Sequence, residues 1–342
     1  MNADFYRRIT SDLLWNNYNI PFSSGYNNLS FFNGGELKNQ GWELYINGLA
    51  IKTENTSLGF NFNMSHNNNT FLNFPDNFNN ERSTSIGNGD FPRRAVEGQP
   101  IGSFYGFRYL GVYADDEEAY ARDENGDIML GVNGEPIPMT YQEVYEFQGG
   151  DAKYEDVNHD GKIDLMDVVY LGDSNPSLIG GFGSSFSYKN LSASVQFHYR
   201  LGFDIVNEIA LETEGMTNKN NQSTAVLHRW RREGQNYEGI LPRAYLNHPA
   251  NNLGSDRYVE NGDFARLNNI SLQYKFDKKK LTKWNLNSLK VSLNMRKILT
   301  FTNYTGQDPE ISRGGQNPFW MGTDNARTPV PRIYTVGLSV GF

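Results

Sequence analysis

The last ten residues read Ile333-Tyr334-Thr335-Val336-Gly337-Leu338-Ser339-Val340-Gly341-Phe342. Apolar side chains stand at every second position of this stretch, and small or polar residues stand between them. This period of two predicts a β-strand with one apolar and one polar face. About ten residues also suffice for a tilted strand to cross a bilayer. The stretch therefore favours a strand of a membrane barrel over one of a soluble sheet, and the terminal aromatic resembles a signal for outer-membrane assembly.

The same alternation recurs upstream and predicts further strands. The clearest example is a hairpin in which Lys189-Asn190 form a two-residue turn between two alternating runs. The predicted strands lie within Asn2–Ile9, Trp42–Ala50, Leu58–Met64, Phe182–Tyr188, Leu191–Leu201, Ile270–Phe276, Leu289–Met295 and Ile333–Phe342.

The connections between these strands fall into two length classes. Short ones lie near residue 54, at Lys189-Asn190 and near residue 280, whereas long ones fill about 67–177, 202–262 and 302–332. Outer-membrane barrels have short periplasmic turns and long extracellular loops. The pattern therefore predicts an all-β, antiparallel transmembrane β-barrel portion of about eight to ten strands. Within it, 67–177 is expected to be one large extracellular excursion without membrane strands, and two strands there are the alternative.

Composition restricts the class of protein. The chain has 342 residues, no Cys, 14% aromatic residues and a formal charge of -8. The absence of Cys excludes a disulfide framework, and the negative charge argues against a nucleic-acid partner. No apolar run is long enough for a transmembrane helix. The start, Met1–Arg8, lacks the apolar segment of an export signal, so we expect a C-terminal fragment or a natural truncation of an exported protein.

A calcium-loop pattern lies inside the longest connection. The run from Asp156 to Asp167 fits the spacing D-x-[DN]-x-[DN]-G-x₅-[DE]. Calcium binds six to eight hard oxygen ligands. The Asp and Asn side chains of this pattern supply such oxygens, and Gly161 permits the sharp turn of the loop. The predicted ligands are Asp156, Asn158, Asp160, Lys162 through its carbonyl, Asp164 and Asp167. The alternative is a turn rich in Asx residues that binds no ion.

Patterns typical of catalytic sites are missing. The sequence has no G-x-S-x-G, no P-loop and no H-E-x-x-H. Its histidines are scattered without metal-ligand spacing, and the acidic run Asp115–Glu118 is more typical of a solvated loop than of a glycosidase carboxylate pair. We therefore predict that the chain is not an enzyme, and a glycoside hydrolase stays the weaker alternative.

Several blocks resemble those of SusC/RagA-like TonB-dependent outer-membrane transporters. They occur in chain order and cover most of the sequence. The blocks are Pro100–Gly106, Gly149–Glu155, Gly172–Pro176, Arg257–Leu267 and Phe301–Glu310. The resemblance implies the C-terminal portion of a 22-stranded barrel in the outer membrane of a Gram-negative, Bacteroidota-like bacterium.

The resemblance also implies a function and partners. The function is TonB-dependent import of a glycan or peptide, with a SusD-like surface lipoprotein as partner and the TonB complex engaged through an N-terminal part without counterpart here. The expected ligand-contacting residues are aromatic and lie on the long connections: Trp230, Tyr258, Phe319 and Trp320. The alternative is a soluble calcium-dependent carbohydrate-binding β module.

Overall fold

A computed structural model describes residues 1–19, 23, 25, 28–74, 81–83, 85–235, 239–310 and 318–342. Within these ranges the first strands are β1 (Asn2–Ser11), β2 (Leu14–Asn19), β3 (Asn28–Asn33), β4 (Glu36–Lys52), β5 (Thr56–Asn73), β6 (Glu81–Ser83), β7 (Arg93–Arg94), β8 (Ser103–Gly106), β9 (Tyr109–Val112), β10 (Thr140–Tyr141) and β11 (Tyr145–Glu146). The later strands are β12 (Ala152–Tyr154), β13 (Lys162–Ile163), β14 (Val169–Asp173), β15 (Leu178–Tyr188), β16 (Leu191–Leu201), β17 (Asp204–Asn207), β18 (Val259–Asn261), β19 (Phe264–Lys275), β20 (Ser288–Thr302), β21 (Thr323–Asp324) and β22 (Ile333–Gly341). The α-helices are α1 (Glu208–Glu214) and α2 (Lys278–Leu281), and 3-10 turns lie at Leu165–Asp167, Thr224–His228, Asp256–Tyr258, Thr282–Trp284 and Pro318–Trp320.

One long sheet dominates the described part of the chain. Its eight strands follow the order β1-β4-β5-β15-β16-β19-β20-β22. Every neighbouring pair in this order is antiparallel. The count agrees with the eight to ten strands expected from the alternating runs. None of the described helices is long and apolar enough to cross a membrane.

The register gives the sheet one apolar and one polar face. In the pairing of β16 with β19, Val195 stands opposite Ile270, and Ser194 stands opposite Ser271. Because antiparallel partners point to the same side, these apolar and polar rows continue across the sheet. We call the apolar side the outer face and the polar side the inner face. On the outer face, Phe182 stacks on Phe197 with ring centroids 4.8 Å apart.

The two classes of connection leave the sheet at opposite ends. The short ones are 53–55, 189–190 and 276–287, the last of which contains α2. The long ones are 12–35, 74–177, 202–263 and 303–332. The turn at Lys189 has φ +50°, a left-handed conformation that suits a two-residue hairpin. Because the strands are antiparallel and short and long connections alternate along the chain, all long connections emerge from one end of the strands. The sequence pattern predicted this arrangement.

The long connections fold together into a layer that we call the cap, meaning the described residues of the four long connections. Small sheets inside it pair β8 with β14 and β9 with β12. Its largest hydrophobic cluster includes Tyr113, Ile163 and Leu253, which are at most 2% exposed. Because Leu253 comes from 202–263 and the other two from 74–177, the core joins two connections far apart in sequence.

The boundary of the large excursion differs from the sequence expectation. β5 continues to Asn73, so the connection starts at residue 74 and not at residue 67. The asparagines that suggested a loop pair with β4, with Asn67 opposite Gly41 and Asn69 opposite Asn39. Ladder pairing overrides the weak strand propensity of Asn here. Within the described residues, the main sheet takes no strand from the interval between β5 and β15.

Candidate functional sites in the cap

The first half of the calcium-loop pattern forms a tight Asx-type turn. The Asp156 carboxylate accepts hydrogen bonds from the backbone N–H of Gly161 at 2.8 Å and of Asp160 at 3.3 Å. The Asp160 carboxylate accepts one from the N–H of Lys162 at 3.0 Å, and the Asn158 amide donates to its other oxygen at 3.1 Å. Gly161 has φ +81°, which a side chain would strain. The predicted ligand oxygens therefore also hold the loop backbone.

The second half of the pattern is anchored by Asp167. Its two oxygens accept from the N–H groups of Val157 at 2.8 Å and Asp164 at 2.9 Å. Burial raises the pKa of Asp167 to about 6, and the nearby negative charges of Asp156 and Asp164 add to the effect. Within the described residues, no group of three or more His, Cys, Asp or Glu side chains converges closely enough to hold a metal ion. Calcium binding at this loop stays a prediction.

We expect calcium titrated into the intact protein to give a calorimetric binding signal, because the loop offers the hard oxygen ligands that this ion prefers. Replacing Asp156, Asn158 and Asp160 together by Ala should abolish that signal, because these side chains supply the oxygen atoms at the start of the pattern. Asp127→Ala is a suitable control in another acidic turn, one that Asp123 caps through the Asp127 N–H at 3.0 Å. Equal heats in the wild type and the triple variant would contradict the prediction.

The four aromatic residues expected to contact ligand lie in different surroundings. Trp230 is half-buried, and its indole N–H donates to the carbonyl of Ala114 at 3.3 Å. A Cβ on Gly150 would lie 2.4 Å from the Trp230 ring, so the ring packs directly on this glycine. Phe319 packs against the cluster around Trp15, and Trp320 beside it is 39% exposed. The four side chains therefore do not form one compact site.

Tyr258 has the least accessible ring of the four. It is 1% exposed and packs in a cluster with Phe91 and Phe104. Its hydroxyl donates to the Asn252 side chain, and the Arg257 guanidinium lies 4.8 Å from its ring centroid. A ligand can reach this ring only after a rearrangement of the cap.

A buried carboxylate that the sequence reasoning did not single out joins two parts of the cap. Asp151 is fully buried and accepts from Arg243 Nε at 2.7 Å and from the Tyr145 hydroxyl at 2.8 Å. The backbone N–H of Gln148 donates to it at 3.0 Å, and His248 Nε2 lies 3.0 Å away. We call this group the Asp151 cluster. It connects the segment 145–151 with the segment 243–248.

The charge state of the Asp151 cluster follows from these contacts. Burial raises the pKa of Asp151, yet the contacts from His248 and Arg243 outweigh burial, and the pKa lies below its usual value. His248 Nδ1 accepts the N–H of Ala250 at 3.0 Å, and its Nε2 lies 3.0 Å from Asp151 without the alignment of a hydrogen bond. The amino-acid sequence indicates this cluster only in part. Asp151 lies in the block Gly149–Glu155, which resembles SusC/RagA-like transporters, whereas Arg243 lies outside all the blocks that carry this resemblance.

A second ionic cluster ties the cap to the inner face. Arg266 of β19 is 2% exposed, and its guanidinium contacts the carboxylates of Asp308 and Glu310. His198 of β16 lies 3.1 Å from Glu310, and its hydrogen bond, together with the charge of Arg266, lowers the pKa of Glu310 to about 2. Register places His198 opposite Arg266. The connection that contains Asp308 and Glu310 is thereby folded back onto the polar side of the sheet.

The sheet and its one-sided cap define the class of the chain: an antiparallel β-barrel wall of the outer-membrane type, with one apolar and one polar face. No protein-family model matches the chain. Its sequence is 28% identical over 350 residues to TonB-dependent receptor P3 of Formosa agariphila, covering 100% of this chain and 32% of that protein. It is 26% identical over 359 residues to TonB-dependent receptor SusC of Bacteroides thetaiotaomicron, covering 99% and 30%. The chain thus spans about a third of the length of these relatives.

The solved structures agree with the sequence comparisons. The RagAB peptide importer in its open-open state matches with a TM-score of 0.72 at 19% identity, covering 99% of this chain and 32% of that chain. A second RagAB peptide transporter structure gives 0.69 at 20% identity, covering 99% and 33%. The predicted fold class, an antiparallel transmembrane β-barrel portion, is confirmed. The predicted resemblance to SusC/RagA-like TonB-dependent receptors is confirmed as well.

Proposed function

We propose that the chain forms part of the barrel wall and the extracellular cap of an outer-membrane importer of glycans or peptides. The observation that carries the proposal is the two-faced sheet with a folded cap at one end only. On the outer face of its central strands, Phe182 is 44% exposed and Leu272 is 42% exposed. Such a surface suits lipid and disfavours a soluble carbohydrate-binding module.

The proposed partners follow from the same arrangement. A SusD-like surface lipoprotein would sit over the cap, and the TonB complex would act from the periplasmic side. The names SusC and RagAB among the similar proteins support this assignment. The proposal places the protein in the outer membrane of a Bacteroidota-like bacterium and gives it no enzymatic role.

The proposed ligand contacts are made by aromatic side chains of the cap. Trp320 is the best candidate, because it is 39% exposed on a long connection. Trp230 and Phe319 are half-buried, so each would offer one edge of its ring. Aromatic surfaces suit both the apolar faces of sugars and peptide side chains.

We expect Trp320→Ala to weaken ligand capture and uptake by the intact protein at least about fivefold, since buried Trp contacts carry about 1 kcal/mol or more of binding energy. The measurement is uptake of labelled oligosaccharides and peptides by cells that express the intact protein. Trp284→Ala is the matched control, because Trp284 is 69% exposed within the short connection 276–287 at the opposite end of the strands. Equal losses in both variants would remove Trp320 from the site, and absence of any TonB-dependent uptake would overturn the proposed function.

A further inference from the structure

On the outer face of β1, β4 and β5, the side chains change from aliphatic and apolar to aromatic toward the cap. Near the short connections its rows are apolar, with Ile46 opposite Phe62 and Leu44 opposite Met64. One row closer to the cap, Phe5 stands opposite Trp42, and Trp42 stands opposite His66. The Trp42 and His66 rings lie 6.1 Å apart. Aromatic rows of this kind mark the boundary between hydrocarbon and headgroups.

The height of the Trp42 row above the short connections also places it at the boundary between hydrocarbon and headgroups. β5 starts at Thr56 beside Tyr188, at the end of the sheet with the short connections. From position 56 to position 66 the strand rises roughly 33 Å along its own axis. With a tilt near 40°, this rise gives about 25 Å of height, which is the thickness of the outward apolar band of such barrels. The row of Trp42 therefore lies at the upper edge of the hydrocarbon.

Two cations stand just above that edge. Arg7 lies opposite Gln40, one row beyond Trp42, and Lys38 lies opposite Ile9 in the next row. Arg7 is exposed and lines a shallow groove together with Phe5, Gln40, Trp42 and His66.

The ion pairs of the described residues do not include these two cations. Among the described residues, Arg7 and Lys38 make no salt bridge. Glu43 alternates to the inner face. Glu36 stands on the outer face one row beyond Lys38, and its carboxylate accepts a hydrogen bond from Asn73 at 3.2 Å. On the outer face of the later strands, the rows near the cap are apolar, with Leu201 36% and Phe301 57% exposed. The positive character is therefore local to β1 and β4.

We propose that Arg7, Lys38 and Trp42 form a binding site for the phosphate headgroup of an anionic lipid in the outer leaflet. His66 borders the site through its ring, and its Nδ1 lies 2.6 Å from the carbonyl oxygen of Ser177. The site faces the bilayer at headgroup height, so a lipid is the occupant that the geometry favours. Arg7 donates in a planar fork that matches phosphate oxygens, and the Lys38 stem can extend along the apolar surface to bring its ammonium group beside it. Trp42 supplies the flat apolar contact for the start of the acyl chains. This inference rests on the membrane orientation in the proposed function.

The test is native mass spectrometry of the intact detergent-purified protein with diphosphorylated lipid A as the probe. The wild type should retain the lipid in a salt-sensitive manner, and the same lipid without phosphates should bind at least tenfold more weakly. The double variant Arg7→Gln, Lys38→Gln should weaken retention about 10- to 30-fold, since each lost cation near a lipid phosphate weakens binding several-fold.

The matched control removes two positive charges at the other end of the sheet. Lys278 and Lys279 are exposed on α2, and the variant Lys278→Gln, Lys279→Gln should retain the lipid as the wild type does. Equal retention by both double variants, or equal binding of the dephosphorylated lipid, would overturn the proposal. Competition by inorganic phosphate at the same concentration as the lipid would point to a free-phosphate site and would also overturn it. Nutrient uptake measured on the same variants tests the proposed function separately, because loss of lipid binding does not require loss of uptake.

Discussion

Val195→Arg should destabilise the membrane-inserted protein by about 2–4 kcal/mol, because the position faces lipid near the middle of the bilayer. Val195 lies in the central strand β16, between Ser184 of β15 and Ile270 of β19 on the outer face. A buried guanidinium there would lose its hydration without gaining a partner. The measurement is an equilibrium unfolding titration of the intact protein in lipid vesicles.

The neighbouring residue provides the control for this prediction. Gln196 points to the polar inner face, so Gln196→Arg should change the free energy of unfolding much less than Val195→Arg. Equal sensitivity of the two positions would contradict the assignment of the outer face to lipid.

Asp151→Ala should destabilise the cap by about 3–5 kcal/mol, the usual cost of removing one partner from a buried ion pair. The substitution leaves Arg243 and His248 facing a cavity without their acceptor. Limited proteolysis of the folded protein should show faster cleavage within the cap while the strands stay protected. Glu117→Ala removes an exposed carboxylate from the same connection and should leave the cleavage rate unchanged. Unchanged protease resistance in Asp151→Ala would show that the Asp151 cluster does not hold the two segments together.

The same carboxylate gives the cap a defined pH dependence. The pKa of Asp151 is lowered in the folded state, although burial alone would raise it, because His248 and Arg243 favour the charged form. The contribution of Asp151 to the stability of the cap is therefore fully present above the unfolded-state pKa of about 3.9. It is lost as the pH falls through the folded-state pKa. The difference in cap stability between the wild type and Asp151→Ala should therefore shrink in strong acid.

The strands could be predicted from sequence because their signal is local. The alternation over Leu191–Leu201 gives the bounds of β16, and the two-residue turn before it appears at Lys189-Asn190 as expected. A period of two requires only that one face is buried in lipid and the other faces polar surroundings. The same reasoning missed the end of β5, where polar Asn67 and Asn69 are held in the ladder by pairing with β4.

The cap could not be derived in this way because its contacts are not periodic. Arg243 reaches Asp151 across 92 positions of sequence, and neither residue type predicts the other. Tyr258 was chosen as a ligand contact for its residue type and its place on a long connection, whereas its burial depends on packing against Phe91 and Phe104 from a distant segment. The type of a residue and its place on a long connection indicate that it could contact ligand. Its exposure, however, depends on how the cap folds.

The sheet crosses the bilayer with alternate side chains facing lipid, and this alternation can be measured directly. This chain contains no Cys. Single cysteines are introduced at consecutive positions from Leu191 to Leu201 in the intact protein, after replacement of any Cys outside this chain by Ser. Each variant is labelled with an environment-sensitive fluorophore and reconstituted in vesicles. Quenching by a lipid-phase nitroxide should be strong at Ala193 and Val195 and weak at Ser194 and Gln196, whereas quenching by aqueous iodide should show the opposite alternation. Equal quenching at consecutive positions, or protection of Val195 from the lipid-phase quencher, would contradict the claim.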